Sequence, residues 1–532
     1  MAKSISKSKS KKTVGNKKPT VLLILDGWGL AKPNKGNAIT LSKTPVMDKL
    51  QKKFPHTELQ ASGKYAGLPP FQPGNSEAGH MNLGAGRIAD QDAIFISKEI
   101  NTGRFFKNPA FMEAYQHIVR NNSKLHIMGM LSNGLSAHSD PDHLLALLSW
   151  ARQKKIKNTY LHLFTDGRDS PQRSGLKLIE ALMRGLKNSE SGAKRTGEWI
   201  ATISGRFYAM DRKKNWENTE KAYNSMVLGQ GKEAVSPQAA ITQSYNRGET
   251  DEYILPYVIK RSGKPISVID DGDAVIFFNL RSDRARQLAK PFVQKEFNKQ
   301  NPGSFKRQKI LKNIVFVAMT DFGPDLDHII TAYPSPDLAG TIPMALKNKK
   351  QLYIAESEKF AHVTYFFNGG FADPVAGEDR IKIDSPDVAS YDKRPEMSAV
   401  KITGRVIKLL KEYDFICVNF ANPDMVGHTG NINAAVMAVE AVDKCVGKIY
   451  NAVAALGGFL IITADHGNIE KMINLKTGEV FTEHTANPVP FILAGNLKSK
   501  KIKAGKLGDV APTILKIMGI AKPKEMTGSA LF

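Results

Sequence analysis

Cysteine is nearly absent: Cys417 and Cys445 are the only two in 532 residues. Two thiols cannot build a disulfide framework or a thiolate zinc site of their own, which excludes the disulfide-stapled scaffolds and points to a reducing compartment, read here as cytoplasmic. Long apolar runs are missing as well. The longest, such as VLLIL from Val21 to Leu25, stop far short of the roughly 20 residues that span a bilayer, so no membrane partner is expected. The first twenty residues carry no apolar signal-peptide segment, and the final SALF is no peroxisomal tripeptide. Acidic residues are scarce relative to basic ones, 51 against 75, for a net charge of +24. Seven of the lysines fall between Met1 and Lys18 with no acid among them, so residues 1–18 read as a disordered basic tail, and setting it aside leaves +17. The remaining excess is dispersed, without an aromatic-interleaved basic block, so no specific nucleic-acid partner is expected and a small anionic substrate is the better match.

What is present is ordinary globular composition, 42% hydrophobic and 24% charged, in a chain long enough for several domains at roughly 100–200 residues each. Short β-rich runs alternate with helical patterns throughout, which predicts an α/β fold with mostly parallel sheets. Strands are predicted at Val21 to Leu25, Leu125 to Met130, Tyr160 to Phe164, Trp199 to Ile203, Val275 to Asn279, Ile314 to Ala318, Phe415 to Phe420 and Phe459 to Ile462. Between Asn433 and Leu456, Val436, Val439, Val442, Val446, Ile449 and Val453 recur at helical spacing, a core-facing stripe.

Ligands of open parallel sheets gather beyond the carboxyl ends of the strands. Three strands run straight into metal-ligand chemistry: VLLILDGWG ends in Asp26, FICVNFANPDMVGH reaches Asp424 and His428, and FLIITADHGN ends in Asp465 and His466. With His484 these make a carboxylate and imidazole set without thiolates, suited to Mn²⁺, Zn²⁺ or Mg²⁺. Six ligands exceed one tetrahedral site, so two adjacent metals are expected, an arrangement that clamps both oxygens of a phosphoryl displacement. In GNSEAGHMNLGAGR, Ser76 follows a Gly-containing turn and opens a helix-compatible run, where helix-terminal N–H groups favour an anion. A serine oxygen on a metal becomes a competent nucleophile near neutral pH. A separate, central group of strands runs into arginines instead, in LFTDGRD, ISGRFYAMDR and IFFNLRSDRAR, so one domain is inserted in another. Guanidinium forks match carboxylate and phosphate better than ammonium does, and Arg281 and Arg284, three apart, are expected on one helical face.

From Pro19 to the end, the blocks LDGWG, GNSEAGH, DGRDSP, ATISGRFYAMDR, NLRSDRARQL, AESEKFAHVTYFFNGG, PDMVGHTG, TADHGN and EHTANPVPF closely resemble the cofactor-independent phosphoglycerate mutases of the alkaline phosphatase superfamily. The resemblance implies a phosphatase-like metal domain over 19–90 and 331–532, interrupted by a phosphotransferase domain over 91–330. It implies two Mn²⁺, with Mg²⁺, Co²⁺ or Zn²⁺ as substitutes, one held by Asp424, His428 and His484 and the other by Asp26, Ser76, Asp465 and His466. Ser76 would be the phosphoryl-accepting nucleophile, with Lys359 neutralising the transferring group. His138, Arg168, Asp169, Arg206, Arg212, Arg281 and Arg284 would embrace the substrate, Asp169 serving also as general base and acid. The implied reaction interconverts 3- and 2-phosphoglycerate through phosphoserine, in a monomer that needs no 2,3-bisphosphoglycerate. The text LSNGLSAHSDPDHL departs from the family pattern by one added residue and by Asp140 in place of a histidine. Another metalloenzyme of the superfamily, a phosphatase, phosphodiesterase or phosphopentomutase, would share Ser76 and the metal ligands but lack the arginines. A nucleic-acid-binding protein would instead use the net charge.

Overall fold

Six uncharged residues, Thr20–Leu25, are buried along their whole length, which a strand achieves only at the centre of a sheet covered on both faces. They pair in parallel with Phe415–Phe420 on one side and Phe459–Thr463 on the other. The computed structural model describes residues 18–134, 136–188, 197–334, 337–497 and 501–532; apart from Lys18, the expected basic tail lies outside them. The described residues form two compact units, one containing those through Gln91 and those from 337 onward, the other those from Asp92 to 334.

In the first unit the sheet runs, edge to edge, Asp379–Ile383, Gln351–Glu356, Phe415–Phe420, Thr20–Leu25, Phe459–Thr463, Val489–Ala494, His56–Gln60 and Gly505–Lys506. The first five strands are mutually parallel, and Val489–Ala494 is antiparallel to both neighbours. The helix Ile432–Ala455 is capped by Asn431, whose side chain accepts from the Ala434 N–H, and buries Val439, Val442, Val446, Ile449 and Val453. Each such side chain contributes roughly 1.5–3 kcal/mol by leaving water.

In the second unit, Leu125–Met130 lies between Ala274–Phe277 and Asn158–Thr165, all parallel. Gly197–Gly205 extends one side in parallel, and Val315–Thr320 with Ile329–Tyr333 extends the other. All eight strands predicted from the sequence are present, but the remaining strands were not predicted, among them the inner Gln351–Glu356 and Val489–Ala494. Pro490 sits inside the latter, opposite Glu58 in the antiparallel pair, and proline inside an apolar run argues against an inner strand. The inserted domain was expected to end at 330, a point that falls within Ile329–Tyr333. The parallel pairing of that strand with Val315–Thr320 keeps it in the second unit.

A buried polar chain crosses this second sheet. His126 Nε2 lies 3.1 Å from Asp273 Oδ2, His126 Nδ1 lies 2.9 Å from His162 Nε2, and His162 Nδ1 lies 2.9 Å from Thr202 Oγ1. The carboxylate only accepts, so the protons point toward Asp273 and each ring is one neutral tautomer. Burial lowers both histidine pKa values, against the pull of Asp273 on His126, while His126 and Lys124 add to the depression of His162. Below the unfolded value of about 6.5 the unfolded chain therefore binds protons that the folded one refuses. Stability is complete above that pH and falls below it, by at most about 1.4 kcal/mol per pH unit and per histidine until the folded-state value is reached. Urea unfolding followed by Trp150, Trp199 and Trp216 is expected to shift to lower midpoints between pH 7 and 5.5, with a shallower slope in His162→Gln. A flat wild-type profile over that interval would disprove the account.

Candidate active site and metal centre

Asp26 follows the central strand, and Asp424 and Asp465 follow its two neighbours, so the register of three parallel strands delivers three carboxylates to one edge. Two ligand groups result. Asp424, His428 and His484 form one, Asp26, Asp465 and His466 the other, and within each group the ligand atoms lie within 4.8 Å of one another. The groups are adjacent: the His466 and His484 rings stack with centroids 4.0 Å apart, and one ammonium, Lys359 Nζ, reaches Asp26 Oδ1 at 2.6 Å and Asp424 Oδ2 at 2.7 Å.

The donor chemistry of the first group fits a cation. His428 Nδ1 lies 2.8 Å from the Thr482 carbonyl and His484 Nδ1 lies 2.9 Å from the Gly74 carbonyl. A carbonyl only accepts, so each Nδ1 carries a proton, and in the neutral ring each Nε2 presents a lone pair. Those two Nε2 atoms face each other at 3.0 Å, and each lies 3.2 Å from Asp424 Oδ1. Three electron-pair donors converging this closely call for a positive centre among them. In the second group, Asp465 Oδ1 accepts from the Gly27 and His466 N–H groups, whereas Oδ2 is buried and accepts no hydrogen bond. Its near neighbour, His80 Nδ1 at 3.2 Å, is directed at the Ser76 carbonyl. Burial and the charge of Asp465 push Asp26 up to about 6. Burial opposes ionisation of Asp424 too, but Lys359 outweighs it and holds that carboxyl well below the usual range.

Ser76 opens the helix Ser76–Ala85, whose N-cap is Asn75, with its side chain accepting from the Ala78 N–H at 2.9 Å. The capping role thus falls to Asn75, and Ser76 is left for chemistry. Its Oγ lies 3.2 Å from Asp26 Oδ1, 3.0 Å from His466 Nε2 and 2.7 Å from Lys359 Nζ. Gly79, one turn on, permits this: a Cβ there would stand 2.6 Å from the Asp465 carbonyl oxygen. Burial disfavours the charge of Lys359, yet Asp26, Asp424 and Asp465 outweigh it and raise its pKa, so the ammonium is permanent.

In the second unit the sequence-predicted residues also cluster. Arg206, 2% exposed, donates to Asp166 Oδ1 at 2.5 Å and to Asp169 Oδ2 at 2.8 Å, and Ser136 Oγ donates to Asp169 at 2.7 Å. Burial works against ionisation of Asp169, but Arg206 and Ser136 prevail and lower its pKa. Burial, then Arg206, depresses His138 to about 3, leaving a neutral ring. Arg212 pairs with Asp283 at 2.7 Å, Arg281 lies 3.5 Å from the same carboxylate, and Arg168 lies 3.6 Å from Glu252. Arg284 is lowered by burial and then by Arg206, Arg212 and Arg168, the signature of a cationic pocket that an anion would relieve. One expectation needs correction: Arg281 and Arg284 do not share a helical face, because Arg281 is the extended N-cap of Ser282–Val293. Asp140, the departure from the family pattern, has a local reason, since it caps Pro141–Gln153 by accepting from the Asp142 N–H.

Arg206→Met is expected to destabilise this unit by about 3–5 kcal/mol, because it strands the buried Asp166 carboxylate, with the more exposed Asp169 adding less. Urea unfolding monitored by the same tryptophans measures it, and a loss below 1 kcal/mol would contradict the pairing argument.

Among the groups that organise the two sites, sequence reasoning missed these four. Asn419 donates to Asp26 Oδ2 at 2.7 Å, and Asn468 to Asp424 Oδ1 at 3.0 Å. His80 holds the Ser76 carbonyl, and Asp166 holds Arg206. The signals were present for two of them. His80 stands four residues after Ser76, one helical turn, and Asp166 stands two before Arg168.

A family model described as the metalloenzyme superfamily matches residues 18–522. The 2,3-bisphosphoglycerate-independent phosphoglycerate mutase of Clostridium novyi (strain NT) is 48% identical over 522 residues, covering 97% of this chain and 99% of that one. The enzyme of the same name from Clostridium acetobutylicum is 47% identical over 521 residues, with the same coverage. Among solved structures, a Leishmania mexicana phosphoglycerate mutase studied at low cobalt concentration superposes with a TM-score of 0.74, at 29% identity and 98% coverage of both chains. On identity sustained over nearly its whole length, the chain belongs to the family of 2,3-bisphosphoglycerate-independent phosphoglycerate mutases, within the metalloenzyme superfamily.

Proposed function

We propose that this protein interconverts 3-phosphoglycerate and 2-phosphoglycerate through a phosphoserine at Ser76, with two Mn²⁺ as resident ions. The observation that carries the reading is the convergence of a helix-terminal hydroxyl, a permanent ammonium and two sets of carboxylate and imidazole donors at one sheet edge. Asp424, His428 and His484 would hold one ion, and Asp26, Ser76, Asp465 and His466 the other. When bound, the ions supply Lewis acidity, lowering the proton affinity of the serine oxygen and neutralising phosphoryl charge.

The remaining roles belong to the chain's own groups. Ser76 Oγ attacks phosphorus as the bond to the C3 oxygen breaks, and the proton given up by the serine hydroxyl is balanced by the one the C3 oxygen takes up, so glycerate keeps that oxygen as a hydroxyl. The Lys359 ammonium, 2.7 Å from Oγ, offsets charge on the transferring group. The C2 hydroxyl of glycerate then attacks phosphoserine and restores Ser76. Asp169 lies with its pKa below the usual range, so it fits the base half of the proton transfer and acts as acid only after accepting that proton. The cationic side chains Arg168, Arg206, Arg212, Arg281 and Arg284, with neutral His138, match the carboxylate and phosphate of the substrate. Buried, unpaired Cys417 and Cys445 accord with a reducing cytoplasm. The enzyme is read as a monomer, and no helix among the described residues is long and apolar enough to cross a membrane.

An enolase-coupled assay of 3-phosphoglycerate without 2,3-bisphosphoglycerate tests the proposal. Sustained formation of 2-phosphoglycerate is expected. Release of inorganic phosphate in its place would make the enzyme a phosphatase of the same superfamily.

A further inference from the structure

Glu470 is fully buried, and its carboxylate is not among the ligands of either metal group. It accepts four hydrogen bonds, none from a cationic side chain. Oε2 takes the Gly29 N–H at 3.1 Å and the Asn468 N–H at 2.8 Å, while Oε1 takes the Thr485 hydroxyl and the Asn487 amide, the latter at 2.9 Å. All four lone-pair directions of the carboxylate are thereby used. The surrounding backbone is shaped to it: a Cβ on Gly29 would stand 2.3 Å from the carboxyl carbon, and one on Gly467 would stand 2.5 Å from Oε1.

The four donors lie on the segments that carry ligands. Gly29 is three residues past Asp26, Asn468 is two past His466, and Thr485 follows His484 directly. Asn468, whose N–H is held by Glu470, donates from its side chain to Asp424 Oδ1 at 3.0 Å. One carboxylate therefore touches the loops of both ligand groups. We infer that Glu470 is a positioning residue that holds the two metal groups in register, so that both bind metal through a shared brace. The inference rests on the metal-centre reading above. Partners beyond the ligands fix ligand orientation and typically change metal affinity by about 10–100-fold when lost. In Glu470→Gln the amide would turn N–H bonds toward donors that need an acceptor, loosening all three segments at once.

The test is Mn²⁺ titration of the chelator-stripped full chain, read by the electron paramagnetic resonance of free Mn²⁺ and by calorimetry. Wild type is expected to take up two ions per chain. Folded Glu470→Gln is expected to bind both 10–100-fold more weakly, with kcat recovered at saturating Mn²⁺ and KM for phosphoglycerate unchanged. Asp251→Asn is the control for mere structural damage. Asp251 is a buried carboxylate of the second unit that accepts from the Ser174 and Gly175 N–H groups, and its loss should lower the unfolding midpoint without moving Mn²⁺ affinity. Wild-type Mn²⁺ affinity in folded Glu470→Gln overturns the brace. If that variant does not fold, Thr485→Val removes one of the four bonds and should weaken Mn²⁺ severalfold, and unchanged affinity there overturns the brace equally. A wild-type chain that takes up no Mn²⁺ overturns the metal centre itself, and the brace with it, a failure visible before any variant is made.

Discussion

Ser76→Ala is expected to abolish mutase turnover, lowering kcat by at least about 10⁴-fold, the scale seen when a covalent nucleophile is removed. No group beside it is placed to substitute. His466 and Asp26 serve the metal group, and Lys359 is held protonated by three carboxylates. The fold should survive, because alanine favours helix, Asn75 rather than Ser76 caps Ser76–Ala85, and the change removes a single oxygen. Incubation with 3-phosphoglycerate, followed by mass analysis, should show the added phosphoryl group on wild type and none on the variant. Circular dichroism should leave the two indistinguishable. Residual turnover within tenfold of wild type would remove Ser76 from the reaction.

Chelation is expected to have an effect of similar size. With divalent ions stripped, three convergent donors in one group and a buried carboxylate oxygen that accepts no hydrogen bond in the other lose the cations they fit. Activity in the enolase-coupled assay should fall to background and return with Mn²⁺. Stability should move with it, since a ligand present at a thousandfold its dissociation constant contributes about 4 kcal/mol to the folded state. The thermal midpoint should drop on chelation and recover on reloading, and His484→Ala should retain only part of that recovery. Full activity in chelated protein would refute metal involvement.

How far these sites were legible depended on whether the information was local. Asp26, Asp424, Asp465 and His466 could be read because each stands at the end of an apolar run, and a parallel sheet puts such ends on one edge. His484 has no such run before it, so it could be counted with the other imidazoles but not placed by a strand end. The face-to-face Nε2 atoms of His428 and His484 were not legible. They depend on the Thr482 and Gly74 carbonyls, and Gly74 is 410 residues from His484. Arg281 and Arg284 show the opposite failure, where spacing suggested a shared helical face but the helix begins one residue too late for it. Glu470 is the clearest omission, since a lone acid after TADHGN reads as a surface residue until its four donors are seen.

The chemistry available to this protein was set by its sequence alone: carboxylates and imidazoles without thiolates, a serine at a helix start, and arginines following a second group of strands. Strand order decided how those residues combine. Thr20–Leu25 lies between Phe415–Phe420 and Phe459–Thr463, with Leu25 level with Phe420 and Ile24 with Thr463. Residues some 400 positions apart therefore emerge side by side. Hydrogen-bonded register between distant segments depends on which apolar faces bury together across the whole unit, and no local stretch of chain carries that information.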